Sequence, residues 1–466
     1  MTSDNHPKGP SIIPESGLEL DGQATSTILP DAGNLSDEAP DASYYLSGWR
    51  LYTLALGWCY LPCLPGIGGC GVYSIVMVVI FEMVPPAKYT FYYTILTTMY
   101  AFSMTMGPIV GGAINNRSSW VWVFLLNVPL GVFCMLLVAN SMPQHFPHRK
   151  RPCPRTRSIH RIDFVGASLL LAAMTIHITG LEEAANLHSW RSILVLLPLS
   201  LSGLLWIGFI VSQYYVTAST RKPEPVFPWR FFQNRVCMGL ILNGFLSGAI
   251  STTCMIQIPI RSQAAVGMGA LSAGVHLIPF TLAMEIGAIL VATIIAKRRL
   301  PPVYLALVAG VLQLVGVVLL SEGSPNNPGY SAMYVIEVIL GLGVGAVIAV
   351  TTLMMPYATE KRDLAVGTAS IIPFRFLGGA TALAIVTAVA NIRLQEVMLG
   401  VLSPEETALV LMRPDTIRLL PTAVKDRVQG MFVNAFNLQM RVLVGFAVAQ
   451  FPVTFLTWKK DQIMVD

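Results

Sequence analysis

Charge is what this sequence has least of. Only 12% of its 466 residues are Asp, Glu, Lys or Arg, and 54% are hydrophobic. An ordinary soluble domain carries about 25% charged residues, so no sizeable water-soluble domain fits between the apolar runs. Cysteine is also sparse. Cys59 and Cys63 stand one helical turn apart, but no paired spacing among the seven cysteines suggests zinc or a disulfide framework. Packing is the better reading for them. The phosphate-binding string G-x-x-x-x-G-K-[ST] is missing, which argues against ATP-driven chemistry. H-E-x-x-H, G-x-S-x-G and paired carboxylate motifs are missing too, which argues against an enzyme. GIGGCG at residues 66–71 does fit G-x-G-x-x-G. It lacks the acid about 20 residues on and the polar helix of a dinucleotide site, so close helix packing is preferred. No cofactor and no metal are expected.

What is there is a series of apolar runs of about 20 residues, the length that crosses a bilayer as a helix. The expected fold class is an all-α polytopic membrane protein. Residues 1–48 form a polar tail with eight acids and one lysine, read as disordered and not as a cleavable signal. Residues 49–215 and 216–460 read as two helical bundles, and 461–466 as a short tail. Residues 142–161 hold six Lys or Arg and three His without one acid. Between membrane spans this is a cytoplasmic loop under the positive-inside rule, not a nucleic-acid patch. The loop's prolines break any common face for His145, His148, Cys153 and His160, so metal binding there is weak. Residues 391–436 are amphipathic and mixed in charge, and are placed outside as a helical loop.

The chain is organised around residues 103–131. Gly107, Pro108, Gly111 and Gly112 lie inside an apolar run. Small residues four apart share a helix face and admit a neighbouring backbone. Trp120 and Trp122 then open the next run like an interfacial belt. GPIVGG followed by WVWVFLLNVPLG resembles the antiporter motif and following helix of the major facilitator superfamily, and more narrowly its fungal fourteen-span drug:proton antiporter branch. The match is strong at the GP-GG core and at Asn127, Pro129 and Gly131. Thr94 and Ser103 stand where that branch has its leading glycines, and Val121 where it has an arginine. Tyr89, beside Lys88, stands where an arginine tied to proton coupling is usual.

Other stretches are similar to the same branch: DFVG at 163–166, EPVFPWRFFQNR at 224–235, LSAGVHLIPF at 271–280, and DLAVG followed later by FRFLGG within 363–379. LSGWRLYTLALGWCYLP resembles the branch's first span, yet runs directly into CLPGIGGCGVYSIVMVVIFEMVPP, which resembles its fourth. This reads as an internal deletion of roughly three helices, leaving the N-terminal bundle incomplete with about 11 spans in all. An odd count with the basic loops inside places the N-terminus outside, unless 51–84 folds as a re-entrant hairpin.

Charged groups inside spans are costly and are candidates for function. Glu285, Glu337 and Arg375 are the proton-coupling candidates. The bland reading of Glu337 and Arg375 is a structural ion pair joining two helices. His276 reads as a satisfied polar contact before a proton relay. Ser103, Gly107, Pro108, Gly111 and Gly112 are the motif positions. Tyr100, Asn127, Gln257 and Phe376 are candidates for an adaptable apolar cavity, though plain packing is commoner at such spacing. The resemblance implies export of small, largely apolar compounds by proton antiport. Its partners would be a small-molecule substrate, protons and the lipid bilayer, at the plasma membrane. The alternative is an inactive or regulatory scaffold of the same fold.

Overall fold

The computed structural model describes residues 89–117, 121–126, isolated positions between 128 and 136, 162–185, 190–218, 224–298, 300–324, 332–360, 362–412, 416–417 and 420–459. The acidic tail, the junction near residue 60, GIGGCG, the basic loop 142–161 and Asn127 all lie outside them. Everything described is helical apart from one isolated bridge between Ile162 and Glu224.

The helices are α1 (Tyr89–Arg117), α2 (Val121–Leu125), α3 (Phe164–Ala185), α4 (Ile193–Ala218), α5 (Trp229–Gln233), α6 (Arg235–Ala264) and α7 (Ala270–His276). They continue with α8 (Ile278–Arg298), α9 (Pro302–Leu320), α10 (Ala332–Ala358), α11 (Leu364–Met398), α12 (Pro404–Met412) and α13 (Thr422–Leu456). Among the described residues, eight helical segments are long and apolar enough to cross a membrane. Five of these helices carry an internal proline: Pro198, Pro259, Pro356, Pro373 and Pro452. Membrane helices tolerate this because neighbours re-satisfy the freed backbone groups.

Local chemistry sets several boundaries. Pro301 and Pro302 open α9, where a missing N–H costs nothing. Asn234 opens α6. Its Oδ1 accepts from the Val236 N–H at 3.1 Å, and its amide donates to the Ala358 carbonyl at 3.0 Å. The expected spans at 303–321 and 331–356 appear as α9 and α10. The segment 391–436, expected as an outer helical loop, is largely helical. α11 runs on to Met398 and α13 starts at Thr422, with α12 between them. At 35 residues each, α11 and α13 are about 52 Å long. They outreach a hydrocarbon core of about 30 Å, so amphipathic sequence at their ends is helix standing beyond it.

Six long helices, α6, α8, α9, α10, α11 and α13, pack into one bundle. α8 lies on α10, α6 on α11 and α13, and α9 on α10 and α13. Glycines at these crossings set the distance. A Cβ on Gly248 of α6 would collide with the Arg375 carbonyl of α11, and one on Gly345 of α10 with the Met284 carbonyl of α8. α1 runs along α7 and α8. The α3–α4 hairpin leans on the bundle through α3 against α11.

One end of the bundle gathers Arg230, Lys297, Arg298, Asp363 and Lys459, at the starts of α6 and α11 and the ends of α8 and α13. This is the end that the chain joins to the basic loop 142–161, and it is called the inner end below.

Candidate functional site

Polar side chains in apolar helices must find partners, and most do so in a plainly structural way. Asp163, buried at the start of α3, accepts from the Gly166 N–H at 2.7 Å and from the Gln213 amide of α4 at 2.7 Å. Gln213 in turn accepts from the Phe227 N–H at 3.0 Å. Arg230 pairs with Asp363 at 2.8 Å. The stretches DFVG, EPVFPWRFFQNR and D-x-A are therefore one inner-end mooring that ties the α3–α4 hairpin to the bundle. Gln313 donates to the Gly343 carbonyl at 3.0 Å. Gln257, a cavity candidate, is buried and donates to the Thr387 hydroxyl at 3.1 Å, which ties α6 to α11. His276 stacks on Tyr334 with centroids 5.0 Å apart and lies within hydrogen-bond reach of its hydroxyl.

Among the described residues, three ionic groups on the spans, Glu285, Glu337 and Arg261, are buried. Glu285 is 5% exposed. It stands fourteen residues from Leu271 and thirteen from Arg298, at the middle of its span. Arg375 stands eleven residues into α11, about 16 Å along it. Glu337 is 1% exposed and only five residues into α10, toward the outer end. Arg261, in the last turn of α6 at the same end, is itself 3% exposed. Arg261 donates to the Met333 sulfur at 2.8 Å and lies 5.2 Å from the Phe436 ring centroid.

The Glu337–Arg375 ion pair weighed from the sequence is thus corrected. Among the described residues Glu337 makes no ion pair within 4.0 Å, and its Oε2 has no hydrogen-bond partner. The reason is depth. Glu337 enters its span from one end and Arg375 from the other, so they stop at different levels. Arg261 was missed because it falls in the last turn of a span, where a cation reads as an interfacial anchor. The signal that finds it is a pair of ionic groups at matching distances from the outer ends of α6 and α10.

An apolar cavity of about 820 Å³ lies between α3 and α11. Leu170, Met174 and Ile178 form its α3 wall at four-residue spacing, and the α11 wall runs from Val366 to Leu383. Phe227 closes it beside Phe374, with ring centroids 5.6 Å apart. Phe376 lines the cavity and is 46% exposed. Its neighbour Arg375 holds its guanidinium 5.6 Å from the Phe376 ring centroid. Of the other cavity candidates, Tyr100 lies on α1, and its side chain, like Asn127 as a whole, is outside the described residues.

Residues 107–112 of the small-residue motif are helical, inside α1. Ser103 and Gly107 are exposed, and no atom comes within 4 Å of a Cβ placed on Gly107. The side chains of Pro108, Gly111 and Gly112 are outside the description. Tyr89 is buried, edge-on to Tyr357 at 6.4 Å. Among the described residues, no group of three or more His, Cys, Asp or Glu gathers so as to hold a metal ion.

A bundle of apolar helices joined by close glycine crossings, with isolated ionic groups held inside it, defines a multi-pass membrane protein. The model of one family, the Major Facilitator Superfamily, matches residues 43–383, and the chain belongs to that family. It is 33% identical over 389 residues to the MFS-type transporter FPY5 of Fusarium mangiferae, covering 82% of this chain and 65% of that one. It is 25% identical over 443 residues to the multidrug transporter protein MdtP of Bacillus subtilis, covering 92% and 77%. It is 28% identical over 315 residues to the MFS efflux transporter aclA of Aspergillus oryzae, covering 67% and 55%. The chain thus spans just under two thirds of the length of the Fusarium relative.

Proposed function

We propose that this protein exports small, largely apolar compounds across the plasma membrane in exchange for protons, by alternating access. The observation that carries this reading is Glu285, a carboxyl buried at mid-span. A carboxyl away from water is costly when ionised, so it is a natural place to take up a proton on one side and release it on the other. Relatives named as multidrug and efflux transporters support the direction of transport and the kind of cargo. The apolar cavity between α3 and α11 suits a substrate recognised by shape and apolar surface more than by specific hydrogen bonds.

The test is transport by the full chain in proteoliposomes. An imposed pH gradient is expected to drive movement of a lipophilic dye, and Glu285→Gln to abolish it while the protein stays folded. Gradient-driven transport that survives Glu285→Gln would remove the proton role from this residue. One observation favours a second reading, a scaffold without transport. Tyr89, where the related branch carries an arginine, is engaged with Tyr357 instead. Absence of any gradient-dependent movement in folded protein would select that reading.

A further inference from the structure

A second cavity, of about 400 Å³, lies between α11 and α13 toward their outer ends. α11 contributes Arg393 and Leu394 to its lining, and α13 contributes Met431, Asn434, Asn437 and Arg441. Asn434, Asn437 and Arg441 follow one another at spacings of three and four, which sets them on one face of α13. The remaining lining side chains are apolar. Arg393 stands 29 residues beyond Leu364, about 44 Å along α11 from the inner end. That is past a hydrocarbon core of about 30 Å, so the cavity lies at the outer water boundary.

Among the described residues, two guanidiniums line this cavity and no carboxylate does. The acids that neighbour them stand outside the lining. Arg393 Nη1 donates to Glu396 Oε2 at 3.1 Å. Arg441 Nη2 lies 3.8 Å from Glu322 Oε1, beyond hydrogen-bond length. All four of these side chains are more than half exposed, so both pairs are weak and exchangeable. A guanidinium carries several N–H donors, and each arginine keeps some for an anion. The apolar floor is firmly placed: Leu394 is buried in the core. Asn437 is buried too, and its amide donates to the Gly323 carbonyl at 2.7 Å, which ties the α13 wall to the chain just past α9.

We propose that this cavity is a binding site for amphipathic organic anions, compounds that carry one carboxylate or sulfonate on an apolar body. The anionic group accepts N–H bonds from Arg393 or Arg441 and takes the place of Glu396 or Glu322. The body lies along Leu394 and Met431. Charge-assisted bonds are the stronger kind, and burial of the body against the apolar walls adds to them. The cavity between α3 and α11 has no charged residue in its lining, so the two sites select different chemistry. A phospholipid headgroup shares the anionic group, but the volume suits one drug-sized molecule and not a two-chain lipid. The site stands whether or not the protein is an antiporter.

The experiment is binding by the full chain, purified in neutral detergent. The probe is 8-anilino-1-naphthalenesulfonate, an anion with an apolar body, followed by its fluorescence. N-phenyl-1-naphthylamine, the same ring system without the sulfonate, is the neutral control. Arg393→Gln together with Arg441→Gln is expected to weaken the sulfonate at least about tenfold and the neutral dye less than about twofold. Met431→Trp fills the cavity without a change of charge and is expected to weaken the sulfonate by about as much. Arg427→Gln removes a cation of α13 that lies outside the lining and is expected to leave binding unchanged.

Cholate, a soluble carboxylate of this class, is expected to displace the sulfonate at a lower concentration than short-chain phosphatidylglycerol. Displacement in the opposite order would assign the site to a lipid headgroup and overturn the proposal. Sulfonate binding untouched by loss of both arginines, or weakened as much by Arg427→Gln, would overturn it by leaving only long-range attraction. Full binding by Met431→Trp would put the ligand elsewhere. Failure of the folded, unaltered protein to bind the sulfonate saturably would also end it. None of these outcomes bears on gradient-driven transport, which Glu285→Gln tests separately.

Discussion

α4 and α10 are equally apolar along their best spans, yet 78% of that stretch of α10 is buried within the protein against 17% of α4. The two helices show that apolarity states only that a segment belongs in a membrane. It does not say whether its neighbours are protein or lipid. In water the hydrophobic effect would bury both, whereas lipid tails are as apolar as leucine and offer α4 no reason to hide. What distinguishes α10 is small residues and polar groups. Gly341, Gly343 and Gly345 meet α8 and α9 backbone at close range, and Glu337 and Gln313 of the neighbouring helix lie within that packing. On α4, a Cβ on Gly203 would meet nothing within 4 Å.

That contrast is most directly broken by placing the same bulky residue on each helix. Gly345→Leu would drive a side chain into the Met284 carbonyl of α8 and is expected to cost at least about 3 kcal/mol. Thermal unfolding in detergent should show little folded protein. Gly203→Leu on α4 is expected to change stability by less than about 0.5 kcal/mol. Equal effects of the two would end the distinction.

The hairpin should instead depend on its mooring. Asp163→Ala leaves the Gln213 amide and the Gly166 N–H without their acceptor and is expected to cost about 2 kcal/mol. Amide exchange should rise in α3 and α4 and not in α8 and α10. Exchange spread evenly over the protein would mean that the hairpin is not a separate unit.

A smaller effect attaches to Arg230→Ala, which removes the partner of Asp363 at the same end. About 1 kcal/mol is expected, given that Arg230 is partly open to solvent. A double-mutant cycle with Asp363→Asn should recover most of it as coupling. The exposed Arg393–Glu396 pair on α11 is the control, with less than about 0.5 kcal/mol expected. A larger value there would show that solvent does not screen that end.

Much of the fold was legible. Runs of apolar residues located the helices. The segment 391–436 read as helical, but the ends of α11 and α13 were not legible, because amphipathic sequence looks alike in a helical loop and in a membrane helix that overshoots the bilayer. Of the candidate site, Glu285, Glu337 and Arg375 were visible as charges in apolar surroundings. Their partners were not, and Arg261 was passed over. Phe376 was visible only as one aromatic among many.

The sequence by itself determined that this is a helical multi-pass membrane protein, and which few ionic groups it commits to the bilayer. Both follow from the cost of exposing backbone and charge to hydrocarbon, a cost that each segment meets on its own. Only the tertiary structure decided that Arg261 of α6 reaches Met333 of α10 and Phe436 of α13, and that α3 closes a cavity against α11. Those pairings depend on the depth at which each helix stops and on how closely glycines let two backbones approach. Depth and approach are properties of helix pairs, so no single span carries them.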